Sequence, residues 1–279
     1  MTDLRNARVL VTGAASGIGE QMALSAARHG AHVVAWDVDR DGLDRLSRSL
    51  DATGAASSTA VVDVTDRGAV YAAATAVEDE IGGIDVLILN AGIVDAASVL
   101  DSDDDMVERV MAVNVMALFW CTKAFLPGMV SRGDGHVVTI ASITSLVPTP
   151  GMATYTVSKH AAYGFGETLR TELRTQAPGV RSTVVMPFFI NTGMFEGAGT
   201  VPLPFFNKHL EPADVADRVM DAVAKDKERV ILPSLGIMVQ VLRALPPWIY
   251  DAVADRVGLM SVMSTFEGRS ESQSSNQSG

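Results

Sequence analysis

The chain has 279 residues, 48% of them hydrophobic, which is enough to bury a full core in one or two domains. It carries 22 basic against 33 acidic side chains, a net charge of −11. That balance argues against nucleic acid as a partner, because phosphate binding needs clustered Lys and Arg; acidity favours solubility instead.

The first residues, Met1 to Asn6, lack the apolar core of a secretory signal. No run of about 18 apolar residues occurs, so no transmembrane helix is expected. A cytoplasmic location is the expectation, with a peripheral lipid contact left open. The single cysteine, Cys121, excludes an internal disulfide and a cysteine-based metal site. Its apolar setting, Phe119-Trp120-Cys121, reads as a buried inert thiol.

Short β-branched runs alternate with helical patterns along the chain. Strands are expected at 8–12, 32–37, 59–63, 85–90, 136–141, 180–186 and 229–232. Helices are expected near 18–29, 41–50, 67–81, 103–131, 153–176 and 212–225. The strands are near-continuous apolar runs, the mark of a parallel sheet buried on both faces. Strand-helix alternation of this kind predicts an α/β fold, a doubly wound parallel sheet with helices on both faces. One domain over residues 1–265 is expected, followed by a Ser/Gln/Asn-rich tail at 266–279 that reads as disordered.

Thr12-Gly13-Ala14-Ala15-Ser16-Gly17-Ile18-Gly19 lies between the first strand and the first helix. Glycines permit a sharp turn there and let phosphates approach the backbone. The helix N-terminus then offers free N–H groups and partial positive charge. Gly13, Gly17 and Gly19 meet that need, although their Gly-xxx-Gly-x-Gly spacing differs from the commoner fingerprint. Asp37 ends the second strand, 18 residues after Gly19. A carboxylate there accepts hydrogen bonds from adenosine ribose hydroxyls and repels a 2′-phosphate. No basic residue follows it directly and Arg40 is the nearest cation, so NAD is expected over NADP. Asp63 and Asn90-Ala91-Gly92 stand at the ends of the third and fourth strands, on the ligand-binding edge of such a sheet.

Tyr155 and Lys159 are four apart and share one helix face; Ser142 ends the preceding strand. A free tyrosine has a pKa of about 10, and a neighbouring ammonium stabilises its phenolate. Tyr155 then exchanges a proton with an alcohol or carbonyl oxygen that Ser142 also hydrogen-bonds. His160 points about 100° away from Lys159 and reads as structural. The remaining histidines show no metal-ligand spacing, and no metal is expected.

This set of residues resembles the short-chain dehydrogenase/reductase family over roughly residues 5–235. Thr12 to Gly19 matches its glycine motif and Asn90-Ala91-Gly92 its fourth-strand motif. Ser142, Tyr155 and Lys159 match its active site, and Asn114 falls where that family places a fourth catalytic residue. The resemblance implies a Rossmann-type domain with a seven-stranded parallel sheet. It implies that Lys159 binds the nicotinamide ribose and that Asn114 holds a water in a proton relay. It extends the dinucleotide contacts to Ser16, Ile18, Val64, Pro187, Ile190 and Thr192. A homodimer or homotetramer built partly on the long helices is also implied. The chain departs from the family at Pro187-Phe188, where Pro-Gly is common.

The segment at 188–210, with Phe188, Phe189, Phe195, Phe205 and Phe206, reads as a substrate loop suited to an apolar alcohol or carbonyl. The apolar extension at 233–265, through Pro246-Pro247-Trp248, loosely resembles the branch with retinol and 17β-hydroxysteroid dehydrogenases. That likeness implies a retinoid, steroid or long-chain alcohol as substrate. The expected function is therefore NAD-dependent hydride transfer at a lipophilic alcohol. A reductase of small ketones or acyl intermediates, and a non-catalytic NAD-binding regulator, are the alternatives.

Overall fold

A computed structural model describes residues 1–188, 190–191, 210–233 and 242–256. Thr192, Phe189, Phe195, Phe205, Phe206, the tail and much of the C-terminal extension lie outside the described residues.

Seven strands form one sheet: β1 (Arg8–Thr12), β2 (His32–Asp37), β3 (Ser57–Val61), β4 (Val86–Leu89), β5 (Gly135–Ile140), β6 (Val180–Pro187) and β7 (Arg229–Leu232). Their order is β3-β2-β1-β4-β5-β6-β7 and every pairing is parallel. Successive residues of a strand feed opposite faces. Val9 and Val11 enter one core, with α1 (Gly17–Arg28), α2 (Arg40–Asp51) and α7 (Pro212–Ala224). Leu10 enters the other, with α3 (Arg67–Ile81), α5 (Ala117–Arg132) and α6 (Ala153–Gln176). Burial on both sides is why the strands are apolar without alternation.

Helix starts follow local chemistry. Asp39 caps α2 by accepting from Gly42 N–H at 3.0 Å. Asp66 caps α3 by accepting from Gly68 and Ala69 N–H at 2.7 and 3.0 Å. Such caps satisfy amides that have no intrahelical partner.

Two expected elements differ. The third strand starts and ends two residues before the expected 59–63. It is an edge strand whose register is set by β2, with Val33 opposite Ser57 and Asp37 opposite Val61. Asp63 thus lies beyond the strand, where its Oδ1 accepts from Thr65 N–H and Oγ1–H at 2.9 and 2.7 Å and turns the chain. The expected helix at 103–131 is three pieces: α4 (Asp104–Met111), a π-helical segment (Ala112–Met116) and α5. By length and composition the stretch Asp104–Arg132 is apolar enough to cross a membrane, the one such helix among the described residues. In the fold its α5 part buries Leu118, Cys121, Phe125 and Met129 against the sheet. A last helix, α8 (Pro247–Arg256), sets Tyr250 and Ala254 among Ile143, Val147 and Phe188.

Candidate active site

The sheet order reverses between β1 and β4, and a crevice opens beyond the carboxyl ends of those two strands. Side chains stitch its floor. Thr12 Oγ1 accepts from Asn90 and Ala91 N–H at 3.0 and 3.1 Å, and Asn90 Nδ2 donates to the carbonyls of Thr12 and Gly13 at 2.9 and 3.0 Å.

The glycine loop leads from β1 over this floor. Gly13 and Gly17 have φ of +66° and +62°, the left-handed region that L side chains avoid. A Cβ on Gly19 would lie 1.9 Å from the Gly13 carbonyl oxygen. Ser16 precedes α1 with no side-chain capping bond, leaving its exposed hydroxyl and the helix amides on the cleft. Beside the loop, Asp37 Oδ2 accepts from Ala15 N–H at 2.9 Å and Oδ1 from Asp39 N–H at 3.0 Å. Asp63 and Val64 stand on the same cleft, as do Ile18, Ala91 and Gly92.

At the other end lie Ser142, Tyr155 and Lys159. Ser142 follows β5 and starts a 3-10 turn (Ile143–Ser145), accepting from Thr144 N–H at 3.2 Å. Ser145 Oγ donates to the Lys159 carbonyl at 2.7 Å and ties that turn to α6. The Tyr155 hydroxyl is hydrogen-bonded to Ser142. Lys159 Nζ donates to the Ile140 carbonyl at 3.1 Å and sits 5.6 Å from the Tyr155 ring centroid. Both residues are 5% exposed. Burial pushes the phenol up to about 12, opposed by the Ser142 hydrogen bond, and burial pushes the ammonium down to about 8. The expected stabilisation of a phenolate by Lys159 is therefore outweighed by desolvation in the protein alone.

The glycine loop, Asp37 and the Ser142, Tyr155 and Lys159 group line one cleft of about 610 Å³, together with Pro187 and Ile190. Asn114 does not line it. It sits behind the wall in the π segment, 2% exposed, donating from Nδ2 to the Ile93 carbonyl and Ser158 Oγ, both at 2.9 Å. Its Oδ1 accepts from Ile93 N–H at 2.9 Å. Both amide hydrogens are thus committed, so only acceptor positions remain for a water. A π turn inside a helix is often found at a functional site. A Cβ on Gly92 would come within 3.3 Å of Asn114 Oδ1 and 3.4 Å of Lys159 Nζ, so a bare backbone keeps this corner open.

Sequence reasoning missed Arg45, Arg109, Ile93 and Val113 on the cleft wall. Arg109 and Val113 are one helical turn apart before Asn114, a spacing that could have been read; Arg45 is brought in by the first turns of α2. His160 is as expected: its Nδ1 bonds the Thr156 carbonyl at 2.9 Å. Cys121 is buried, and burial pushes its thiol up to about 12.

The shape suits a nicotinamide dinucleotide. The glycine cradle is one that a Cβ would fill, helix amides face it, and the Asp37 carboxylate stands at one end with Tyr155 and Lys159 at the other.

A sequence profile of the family described as short chain dehydrogenase matches residues 7–200. Human epidermal retinol dehydrogenase 2 is 37% identical over 261 residues, covering 92% of this chain and 84% of that protein. Estradiol 17-beta-dehydrogenase 11 of Pongo abelii is 37% identical over 249 residues, covering 89% and 82%. A short chain dehydrogenase/reductase from Burkholderia phymatum, solved in complex with NAD, superposes with a TM-score of 0.80 at 27% identity, covering 88% of this chain and 95% of that one. A metagenomic short-chain oxidoreductase, solved in complex with NADP, gives 0.70 at 29% identity, covering 82% and 98%.

Proposed function

Because the chain belongs to the short-chain dehydrogenase/reductase family, NAD(P)-dependent oxidoreductases acting on alcohols and carbonyls, we propose that it uses NAD to oxidise a lipophilic alcohol. The observation that carries this reading is the Ser142-Tyr155-Lys159 group lying on the same cleft as the glycine loop. Gly13, Ser16, Gly17, Ile18 and Gly19 would hold the dinucleotide, with Asp37 available to its adenosine ribose. Asp63, Val64, Asn90, Ala91 and Gly92, on the same cleft, would also contact it. Pro187 and Ile190 would hold its nicotinamide end, and Lys159 its nicotinamide ribose; Thr192, also expected there from the family resemblance, lies outside the described residues. Asp37 supports NAD over NADP, since a carboxylate repels a 2′-phosphate.

When bound, the oxidised dinucleotide supplies the hydride acceptor and a second positive charge near Tyr155. A unit charge within about 5 Å, at an effective dielectric of about 20, is worth about 3 kcal/mol, or roughly two pKa units. Lys159 below the phenol contributes one such charge while it is protonated. Tyr155 then takes the alcohol proton in oxidation and returns it in reduction. Ser142 hydrogen-bonds the substrate oxygen and holds it beside Tyr155. Asn114 pins the Ile93 backbone and the Ser158 side chain, and offers an acceptor to a water that passes the proton onward.

A lipophilic substrate is supported by the apolar wall at this end. Phe188 is 7% exposed and packs with Ile143, Val147 and Tyr250 while lining the cleft. The names of the two relatives point the same way. A homodimer or homotetramer is supported by apolar side chains left exposed along the helical stretches: Met116, Phe119 and Val157 are 42%, 44% and 58% exposed. Phe119 also packs edge-on against Phe165 of α6.

The test is NADH formation by the purified chain with retinol, hydroxysteroids, long-chain alcohols and short polar alcohols. Turnover on the lipophilic set is the expected result. Tyr155→Phe lowers it by about 10²–10⁴-fold while NAD binding is kept. Activity confined to small polar alcohols refutes the substrate class, and equal activity of Tyr155→Phe refutes the mechanism.

A further inference from the structure

The adenosine end of the cleft holds more charge than Asp37 alone. Asp37, Asp39 and Arg45 all line it. Three of the four carboxylate oxygens are fixed by backbone amides: Asp37 Oδ2 by Ala15, Asp37 Oδ1 by Asp39, and Asp39 Oδ1 by Gly42. The fourth, Asp39 Oδ2, faces Arg45 Nη2 at 3.7 Å. That pair is long and made through one nitrogen, and its side chains are 60% and 50% exposed. Among the described residues Arg45 has no other ion pair. An exposed pair of this kind holds its arginine weakly. Arginine, in turn, is suited to grip a phosphate through two N–H groups.

We propose that Arg45 is a latent ligand for the 2′-phosphate of NADP and that Asp39 is the counter-charge that keeps it from that role. The proposal rests on the dinucleotide reading above. Asp37, Asp39 and Arg45 sum to one negative charge, which disfavours a phosphate even with a guanidinium at hand. Neutralising Asp39 leaves Asp37 and Arg45 balanced and releases the guanidinium. A residue two positions past the strand-end carboxylate, acting through one six residues further on, thereby adds to Asp37 in setting the cofactor preference of this chain.

Asparagine caps a helix as well as aspartate, so Asp39→Asn removes the charge and keeps the bond to Gly42. NADH and NADPH are titrated into the full chain by their fluorescence, and adenosine 2′,5′-bisphosphate and 5′-AMP by calorimetry. These readouts need no substrate. In the unaltered chain NADH binds more tightly than NADPH. Asp39→Asn tightens NADPH and the bisphosphate about tenfold or more and leaves NADH and 5′-AMP within about threefold. In Asp39→Asn combined with Arg45→Met, that gain disappears.

A gain that survives in the double variant overturns the role of Arg45, and no gain in Asp39→Asn overturns that of Asp39. If the unaltered chain binds neither dinucleotide, the cofactor reading itself fails and this one with it. NADH binding with an unresponsive Asp39→Asn removes only this inference.

Discussion

Replacing Asn114 by leucine tests whether its buried amide holds the wall of the cleft. Leucine has the same branched heavy-atom shape, is bulkier, and makes none of the three bonds. The Ile93 N–H and carbonyl, each bonded to Asn114 at 2.9 Å, lose their partner together. Ser158 Oγ keeps its donation to the Tyr155 carbonyl at 2.8 Å, so it adds little. A polar group left unsatisfied in the interior costs about 1–3 kcal/mol. Ile93 is only partly buried and water reaches some of its backbone, so the two groups together cost about 2–4 kcal/mol. Urea unfolding of the two proteins measures that difference directly. NADH titration gives a second reading, because Gly92 precedes the released residue and lines the cleft. A loss of stability under about 0.5 kcal/mol, with NADH affinity unchanged, refutes the reasoning.

Gly19→Ala places a Cβ 1.9 Å from the Gly13 carbonyl oxygen and 2.6 Å from Asn90 Nδ2. The loop must shift by about 1 Å, with a loss of about 1–3 kcal/mol in stability. NADH binding weakens, and unchanged affinity by fluorescence titration overturns this. His136 is fully buried between Thr2 Oγ1 and Thr183 Oγ1, at 2.9 and 2.7 Å, and burial pushes its imidazole down to about 4. Its folded value lies below its unfolded one, so stability is full above about pH 6.5 and falls as pH drops toward 4. The loss is on the order of 3 kcal/mol at the acid end. The melting temperature should drop less between pH 7 and pH 4.5 in His136→Gln than in the unaltered chain; equal drops count against the assignment.

The parts of the site legible in the sequence are those carried by contiguous motifs at strand ends. The glycine loop, Asn90-Ala91-Gly92, Ser142 and the Tyr155-Lys159 pair each sit where a strand must hand over to a helix. Tertiary context hid the rest. The third strand reads poorly because Ser57, Ser58 and Thr59 face an edge that is half wet, and only its partner sets its limits. The π turn leaves the apolar spacing around Asn114 almost unchanged, so periodicity passes over it. Arg45 is remote from Asp37 in sequence and meets Asp39 only once α2 is wound. The protonation of Tyr155 follows from how deeply it is buried, and spacing on a helix carries no measure of depth.

The stitched floor between β1 and β4 has a consequence for how the chain meets its ligand. Thr12 and Asn90 tie the ends of β1 and β4 together through four hydrogen bonds where sheet pairing ends. Arrival of a dinucleotide therefore neither breaks a bond there nor freezes a loose segment. Little of the entropy lost on binding falls on the floor. Calorimetry on an adenosine fragment should then show a small entropy loss, since it meets a surface already set.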